Sequence, residues 1–391
     1  MLLSFALIII VGYFAGQLCK KLQLPALMGM ILVGILMGPY ALSLIDGSVL
    51  STSAQIRRIA LIIILIRGGL SLKLEDLKKV GRPAILMCFV PACFEMLGMV
   101  LLAPRLLGIS VIEAAVLGTV IAAVSPAVIV PKMIRLIEEG YGTAQSIPQM
   151  ILAGASVDDV FVIVMFSAFT SLASGESVCA ASFLTIPFSI VLGILAGLLL
   201  GQALYLFYEK IELTTTMQGV FLLCLAFLLV SFEDAVPVIP FASLLAVMFT
   251  GIRIKQKDNV LATKLSGLFN RLWSVAEIFL FVLVGATVDP HYLKTAGLSC
   301  LVLILGVLCF RMLGVFLCML KTPLSKKERF FCMIAYTPKA TVQAAIGGVP
   351  LAMGLNCGTI VLTVAVVAIL FTAPMGAFAM EHSYRKLLEK E

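Results

Sequence analysis

The chain has 391 residues, of which 61% are hydrophobic and 13% charged, with a formal net charge of +7. Soluble domains carry about a quarter charged residues, so this balance excludes a soluble protein and points to an integral membrane protein in contact with lipid. The basic excess is not a nucleic-acid footprint, because it collects in alternate connections between apolar runs.

Those runs fall at about 2–19, 24–44, 54–72, 83–107, 110–136, 148–173, 178–207, 215–232, 237–254, 270–289, 295–320, 328–354 and 358–380. At 1.5 Å per residue each can cross a hydrocarbon core of about 30 Å, which predicts an all-α polytopic protein of about 13 transmembrane helices. The first run, MLLSFALIIIVGYFAGQLCKK, has no basic start and no small-residue cleavage site, so it is a span and not a signal peptide. No connection is long enough for a separate soluble domain, so no soluble regulatory or nucleotide-binding module is expected. The ten cysteines are scattered without CxxC or Cys/His spacing and are expected to be small apolar packing residues.

Odd-numbered connections carry Lys20, Lys21, Lys73, Lys78, Lys79, Arg82, Lys132, Arg135, Lys210, Arg253, Lys255, Lys257, Lys264, Lys321, Lys326, Lys327 and Arg329. Even-numbered ones hold few basic residues beyond Arg105 and Lys294, and several acids, among them Asp46, Glu176, Glu233, Asp234 and Asp289. The positive-inside rule then sets the N-terminus outside and the C-terminus in the cytoplasm.

The fifth and twelfth runs share a motif, AVSPAVIVP and AYTPKATVQ, in which Pro126 and Pro338 each remove a helix donor in mid-membrane. IRGGLSLKLEDLKK in the third run has a counterpart, LVGATVDPHYLK, in the tenth, at a similar offset of roughly 212 to 217 positions. Corresponding runs lie an odd number of spans apart, so the copies point in opposite directions. Inverted-topology repeats with discontinuous, crossing helices are the architecture of secondary transporters.

Charges inside the runs share one depth. Glu95, Asp158, Asp159, Arg311 and Lys339 all fall about 15 to 18 Å from the cytoplasmic end of their helices, level with Ser125-Pro126 and Thr337-Pro338. Arg311 is too deep to snorkel and needs a buried partner; Glu95, on the corresponding span of the other repeat, is the natural one, as a structural ion pair. Lys339 follows a helix break and is expected to act as a fixed charge compensating freed carbonyls. Arg67 and Glu277 lie nearer span ends and read as interfacial, and His291 and His382 lie too far out to relay protons. Asp158 and Asp159 point about 100° apart, so one is expected to line an aqueous cavity and the other to face the broken helices. A carboxylate with freed carbonyls and a hydroxyl such as Ser125 or Thr337 suits Na⁺ or Li⁺, and the same oxygen cannot hold a proton and a metal ion together. Three acids against two bases leave one negative charge, which one proton or one cation neutralises; this favours one-for-one exchange, while protonation of the second aspartate would permit two protons per cation.

LPALMGMILVGILMGP, AAVSPAVIVPKM with GASVDDV, LCFRML and TPKATVQAAIGG together resemble the monovalent cation:proton antiporter superfamily, and most closely its NHA-type sodium/proton antiporters. The resemblance covers nearly the whole chain. It implies an NhaA-like antiporter fold and a homodimer in which residues 1–75 and 215–290 form a dimerisation domain and 176–214 a linker helix. Residues 83–173 and 295–380 would form a mobile ion-transporting core, with 381–391 a short cytoplasmic tail. It further implies that Asp159 is the chief ion ligand with Asp158 beside it, that Glu95 and Arg311 match a glutamate–arginine pair, that no cofactor is needed, and that a bacterial inner membrane houses the chain. Some relatives carry a lysine at the position of Arg311, paired with the first aspartate and coupled to proton movement; arginine stays protonated and does not fit that coupling.

A sodium-coupled organic-anion symporter would ordinarily lack an adjacent aspartate pair, and a K⁺/proton antiporter of the gated kind would carry a regulatory domain. An intramembrane aspartyl protease needs its two aspartates on separate helices, one in a GxGD setting. One buried cation site in a repeat that must move suits alternating access better than a channel.

Overall fold

The computed structural model describes residues 1–22, 24–71, 81–174, 180–236 and 241–391, with side chains at all of these except 156, 160, 180–187 and 290–296. Lys73, Lys78, Lys79 and Glu176, the side chains of His291 and Lys294, and parts of the run 3 and run 10 motifs lie outside the described residues. In chain order the helices are α1 Leu2–Lys21, α2 Ala26–Met37, α3 Gly47–Ser51, α4 Ser53–Ser71, α5 Arg82–Met87, α6 Val90–Leu107, α7 Val111–Ala122, α8 Pro126–Glu139 and α9 Ile147–Ala173. They continue as α10 Ala180–Lys210, α11 Thr215–Ala235, α12 Ser243–Lys257, α13 Asn259–Ala286, α14 Pro290–Cys318, α15 Lys326–Ala335, α16 Thr341–Ile346, α17 Val349–Ala352 and α18 Gly358–Leu387. Among the described residues no β-strand forms, and 9 helical stretches are long and apolar enough to cross a membrane, alongside two shorter apolar ones.

Several boundaries differ from the apolar runs, each for a local reason. The second run yields only 12 helical residues, because Pro39 holds Gly38 extended (ψ 173°) and the chain then folds back on the helix end, Leu44 N–H donating to Met37 O at 3.0 Å. The fourth run breaks at Cys88 and Phe89, since Pro91 cannot donate to the carbonyl one turn back. The tenth starts early, at Asn259, where Asp258 Oδ1 caps Val260 and Leu261 N–H at 2.8 and 2.9 Å.

The fifth and twelfth runs are interrupted as the prolines require. Between α7 and α8 the chain is extended at Ala123 and Ser125, and Pro126 opens α8. Between α15 and α16 it is unwound through Tyr336–Ala340, around Pro338. Both broken helices also begin alike, on a Ser-x-x-Glu capping box: Ser110 with Glu113, and Ser325 with Glu328.

Contacts divide the chain into two units. In the larger, residues 1–57, 74–174 and 278–391, α6 packs along α14 and α7, α9 lies against α5, α7 and α8, and α18 lies against α14 and α15. Gly98 permits the α6–α14 approach: a Cβ there would sit 2.7 Å from Phe310 Cγ, so a side chain would push the helices apart. Glu95 lies one turn before Gly98 and Arg311 directly follows Phe310, so this close crossing is what lets the two meet. A core of Met87, Val124, Ile151, Phe331, Tyr336 and Met380 packs beneath them. The segment expected as a short tail is helical through Leu387; beyond it, Glu391 N–H donates to Gly140 O at 2.9 Å and Gly142 N–H to Glu389 O at 2.8 Å, tying this end to the turn after α8.

In the smaller unit, residues 58–73 and 175–277, α12 packs between α10 and α11, and Arg58 makes a bidentate pair with Asp234 at 2.6 and 2.9 Å. Arg67 and Glu277 are both half-buried there.

Candidate ion-binding site

Two breaks meet in the larger unit. Ser125 N–H donates to Pro338 O at 2.8 Å, which joins the unwound segment after α7 to the one after α15. Unwound backbone at membrane depth must find partners, because hydrocarbon supplies none. Here side chains supply them. Val124 N–H donates to Asp158 Oδ2 at 2.9 Å, Arg311 Nε to Tyr336 O at 2.7 Å, and Arg311 Nη1 to Ala122 O; Lys339 N–H donates to Thr372 Oγ1 at 2.9 Å.

The charged side chains form a closed group. Arg311 Nη1 lies 2.7 Å from Glu95 Oε2 and Arg311 Nη2 2.9 Å from Asp158 Oδ2, while Lys339 Nζ lies 2.6 Å from the same Glu95 oxygen. All four are fully buried. Two carboxylates and two cations leave this quartet neutral, which is what makes its burial tolerable.

Asp159 stands outside it. It is 8% exposed, and no hydrogen bond or ion pair reaches it among the described residues; its Oδ1 is buried without a partner, as is the hydroxyl of Ser125. Thr337 Oγ1 donates to Ile334 O at 2.8 Å, a bond within its own helix end that leaves the oxygen lone pairs available.

The buried charged residues singled out in the sequence are thus placed. Arg311 Nη1 donates to Glu95 Oε2, and this pair is part of a larger group, because a planar guanidinium has donors to spare for Asp158 and two carbonyls. Lys339 compensates a carboxylate instead of freed carbonyls, since Arg311 and backbone donors already occupy the carbonyls of Tyr336 and Pro338. Of the aspartates it is Asp158 that faces the broken helices. His382 is exposed and stacks on Phe378, away from the site. The nine described cysteines are free, and among the described residues no group of three or more His, Cys, Asp or Glu is poised to hold a metal ion. A cation here would rely on mixed carboxylate, hydroxyl and carbonyl oxygens, the hard donors that suit an alkali ion.

Sequence reasoning missed Gln343, which donates from Nε2 to Ile121 O at 3.1 Å and Ala123 O at 2.7 Å. It also missed the paired capping boxes. Their spacing, roughly 215 positions, matches that of the two prolines and was a readable repeat signal.

The chain resembles known proteins over nearly its whole length. The family model described as "Sodium/hydrogen exchanger, transmembrane" matches residues 5–381. "Sodium/hydrogen exchanger 9B2" of Xenopus tropicalis is 32% identical over 394 residues, covering 96% of this chain and 72% of that protein. The human protein of that name is 30% identical over 379 residues, covering 94% and 70%. Among solved structures, the sodium proton antiporter MjNhaP1 from Methanocaldococcus jannaschii superposes with a TM-score of 0.86 at 20% identity, covering 98% of this chain and 97% of the other. With one family model spanning residues 5–381, and relatives at 30–32% identity that share nearly all of this chain and 70–72% of their own length, this chain belongs to the transmembrane sodium/hydrogen exchanger family.

Proposed function

We propose that this multi-pass membrane protein exchanges Na⁺ or Li⁺ for protons by alternating access, and that Asp159 is the group for which the two compete. Members of its family are transporters, not enzymes. The observation that carries the residue assignment is the isolation of Asp159: a nearly buried carboxylate with no hydrogen bond or ion pair among the described residues, beside a quartet that is already neutral. Such a charge is costly at membrane depth and is relieved by one proton or one monovalent cation. The Ser125 hydroxyl, the lone pairs of Thr337 Oγ1 and the oxygens of Asp158 supply further ligands close to the breaks.

A chemical cycle follows. With Asp159 bare, the site carries one negative charge and its reorientation across the membrane is opposed. With either cargo bound the site is neutral and can cross. One cation therefore exchanges for one proton, and no proton need pass through Arg311, which remains the fixed counter-charge of Glu95 and Asp158.

The proposal extends to architecture. About thirteen crossings with the N-terminus outside suit the basic connections, and the matching capping boxes and prolines support two inverted repeats. Residues 1–75 and 215–290 would serve as the dimerisation domain of a homodimer, 176–214 as the linker, and 83–173 with 295–380 as the moving core. The proposed location is a bacterial inner membrane, where such exchange would export sodium and set internal pH.

The test is a pH-sensitive dye in proteoliposomes holding an imposed proton gradient, to which Na⁺, Li⁺ and K⁺ are added in turn. Gradient collapse with Na⁺ or Li⁺, lost in Asp159→Asn, is the expected result. No response to any cation overturns the exchanger reading, a response to K⁺ alone assigns a potassium exchanger, and full activity of Asp159→Asn overturns the residue assignment.

A further inference from the structure

We infer that Gln343 is a positioning residue of the cation site, a neutral splint that holds the first helix break and thereby sets where Ser125 stands. The inference rests on the exchanger reading above. The unwound turn after α7 exposes the carbonyls of Ile121, Ala122 and Ala123 and the N–H groups of Val124 and Ser125. Ala122 O is taken by Arg311, Val124 N–H by Asp158, and Ser125 N–H by Pro338 O. That leaves Ile121 O and Ala123 O, and both are taken by Gln343 Nε2.

Gln343 stands in α16, just past the second break, so its side chain ties one discontinuous helix to the other. The amide nitrogen has two hydrogens and spends both on these carbonyls, which fixes the orientation of the group. Its Oε1 must then face away, and it is buried without a partner among the described residues. An orphaned oxygen is tolerated because the nitrogen is needed at the break.

The choice of an uncharged donor also has a reason. Lysine or arginine could bond the same carbonyls, but would cancel the single negative charge that Asp159 contributes. Glutamate would double it and offer no donor when ionised. Glutamine is the long side chain with two donors on one atom and no charge.

The experiment measures Na⁺-driven proton flux in proteoliposomes for wild type, Gln343→Met, Ser125→Ala and the double variant, with Gln343→His as a second probe that keeps one N–H. Gln343→Met is expected to raise the half-saturating Na⁺ concentration by about tenfold with the maximal rate held within about threefold, as loss of ligand placement requires. Gln343→His is expected to give a smaller rise in the same direction. The double variant is expected to shift no further than the larger single one, because both act on the placement of Ser125. An unchanged half-saturation, a fall in maximal rate alone, or additive shifts would overturn the inference. If Gln343→Met does not accumulate as folded protein, Gln343→His decides by the same criteria of half-saturation and additivity with Ser125→Ala. A wild type without cation-driven flux overturns the exchanger reading instead, which separates the two failures.

Discussion

Arg311 holds Asp158 and leaves Asp159 alone: Nη2 lies 2.9 Å from Asp158 Oδ2, while no ion pair reaches Asp159 among the described residues. Neighbours on one helix turn point about 100° apart, so a guanidinium fixed on α14 reaches one of them and not the other. Two adjacent acids therefore have different chemistry. One belongs to a bonded quartet that supports the breaks, and the other is the uncompensated charge.

The aspartate variants should separate accordingly. Asp159→Asn removes the charge that cargo neutralises and is expected to lower cation-driven flux by about a hundredfold or more, a loss of roughly 3 kcal/mol. Asp158→Asn leaves Asp159 in place but strips Arg311 of one partner, so it should cost stability as well as rate. Flux and thermal unfolding of purified protein, measured together, check this; equal effects on both quantities would contradict the division of roles.

Breaking the quartet should be worse than removing a pair from it. Lys339→Met leaves Glu95 with Arg311 alone, and Glu95→Gln leaves two cations facing one acid; removing one partner of a buried pair costs about 3–5 kcal/mol. The double variant Glu95→Gln/Lys339→Met restores balance between Arg311 and Asp158 and should recover part of the loss. A thermal melt showing the double variant less stable than both singles would sink the quartet as the unit of charge balance.

Competition at one carboxylate fixes the sign of the pH response. When protons occupy most of Asp159, the Na⁺ concentration for half-maximal flux should rise about tenfold for each unit of falling pH, because one proton must leave for each cation bound. Raising Na⁺ should then restore the full rate at low pH. A half-saturation independent of pH would show that proton and cation do not share the site. With one-for-one exchange, an applied voltage without ion gradients should drive no current across a reconstituted bilayer.

Tyr336 and Gly154 offer a steric test. The Tyr336 hydroxyl packs against Gly154, where a Cβ would collide with it and come within 2.8 Å of Met87 Cβ. Gly154→Val should displace Tyr336, whose carbonyl receives Arg311 Nε, at a cost of about 1–3 kcal/mol. Reduced flux with lowered melting temperature in Gly154→Val, relieved by Tyr336→Phe, is the expected pattern. Wild-type behaviour in Gly154→Val would show that α9 and the second break slide freely past each other.

Much of this was legible along the chain because its causes are local. A run of apolar residues long enough to span hydrocarbon forms a helix wherever it lies, and Pro126 and Pro338 mark breaks because each lacks an N–H, whereas Pro104, Pro131 and Pro374 are carried within their helices. Pro91 and Pro39 obey the same chemistry and shortened helices at places where an unbroken run was expected. The capping boxes at Ser110 and Ser325 were readable too, yet nothing in hydropathy draws attention to them.

By itself the sequence predicted that charges and breaks from several helices share one depth and determined that three acids and two bases sum to one negative charge, since expected depth follows from counting residues at a fixed rise. Which groups touch was decided only by tertiary structure. Depth is a single coordinate, and partners depend on helix rotation and lateral packing, set by contacts such as Gly98 against Phe310. That packing gives Glu95 both cations, gives Asp158 the remaining arm of Arg311, hands two carbonyls to Gln343, and leaves Asp159 without a hydrogen bond or ion pair among the described residues.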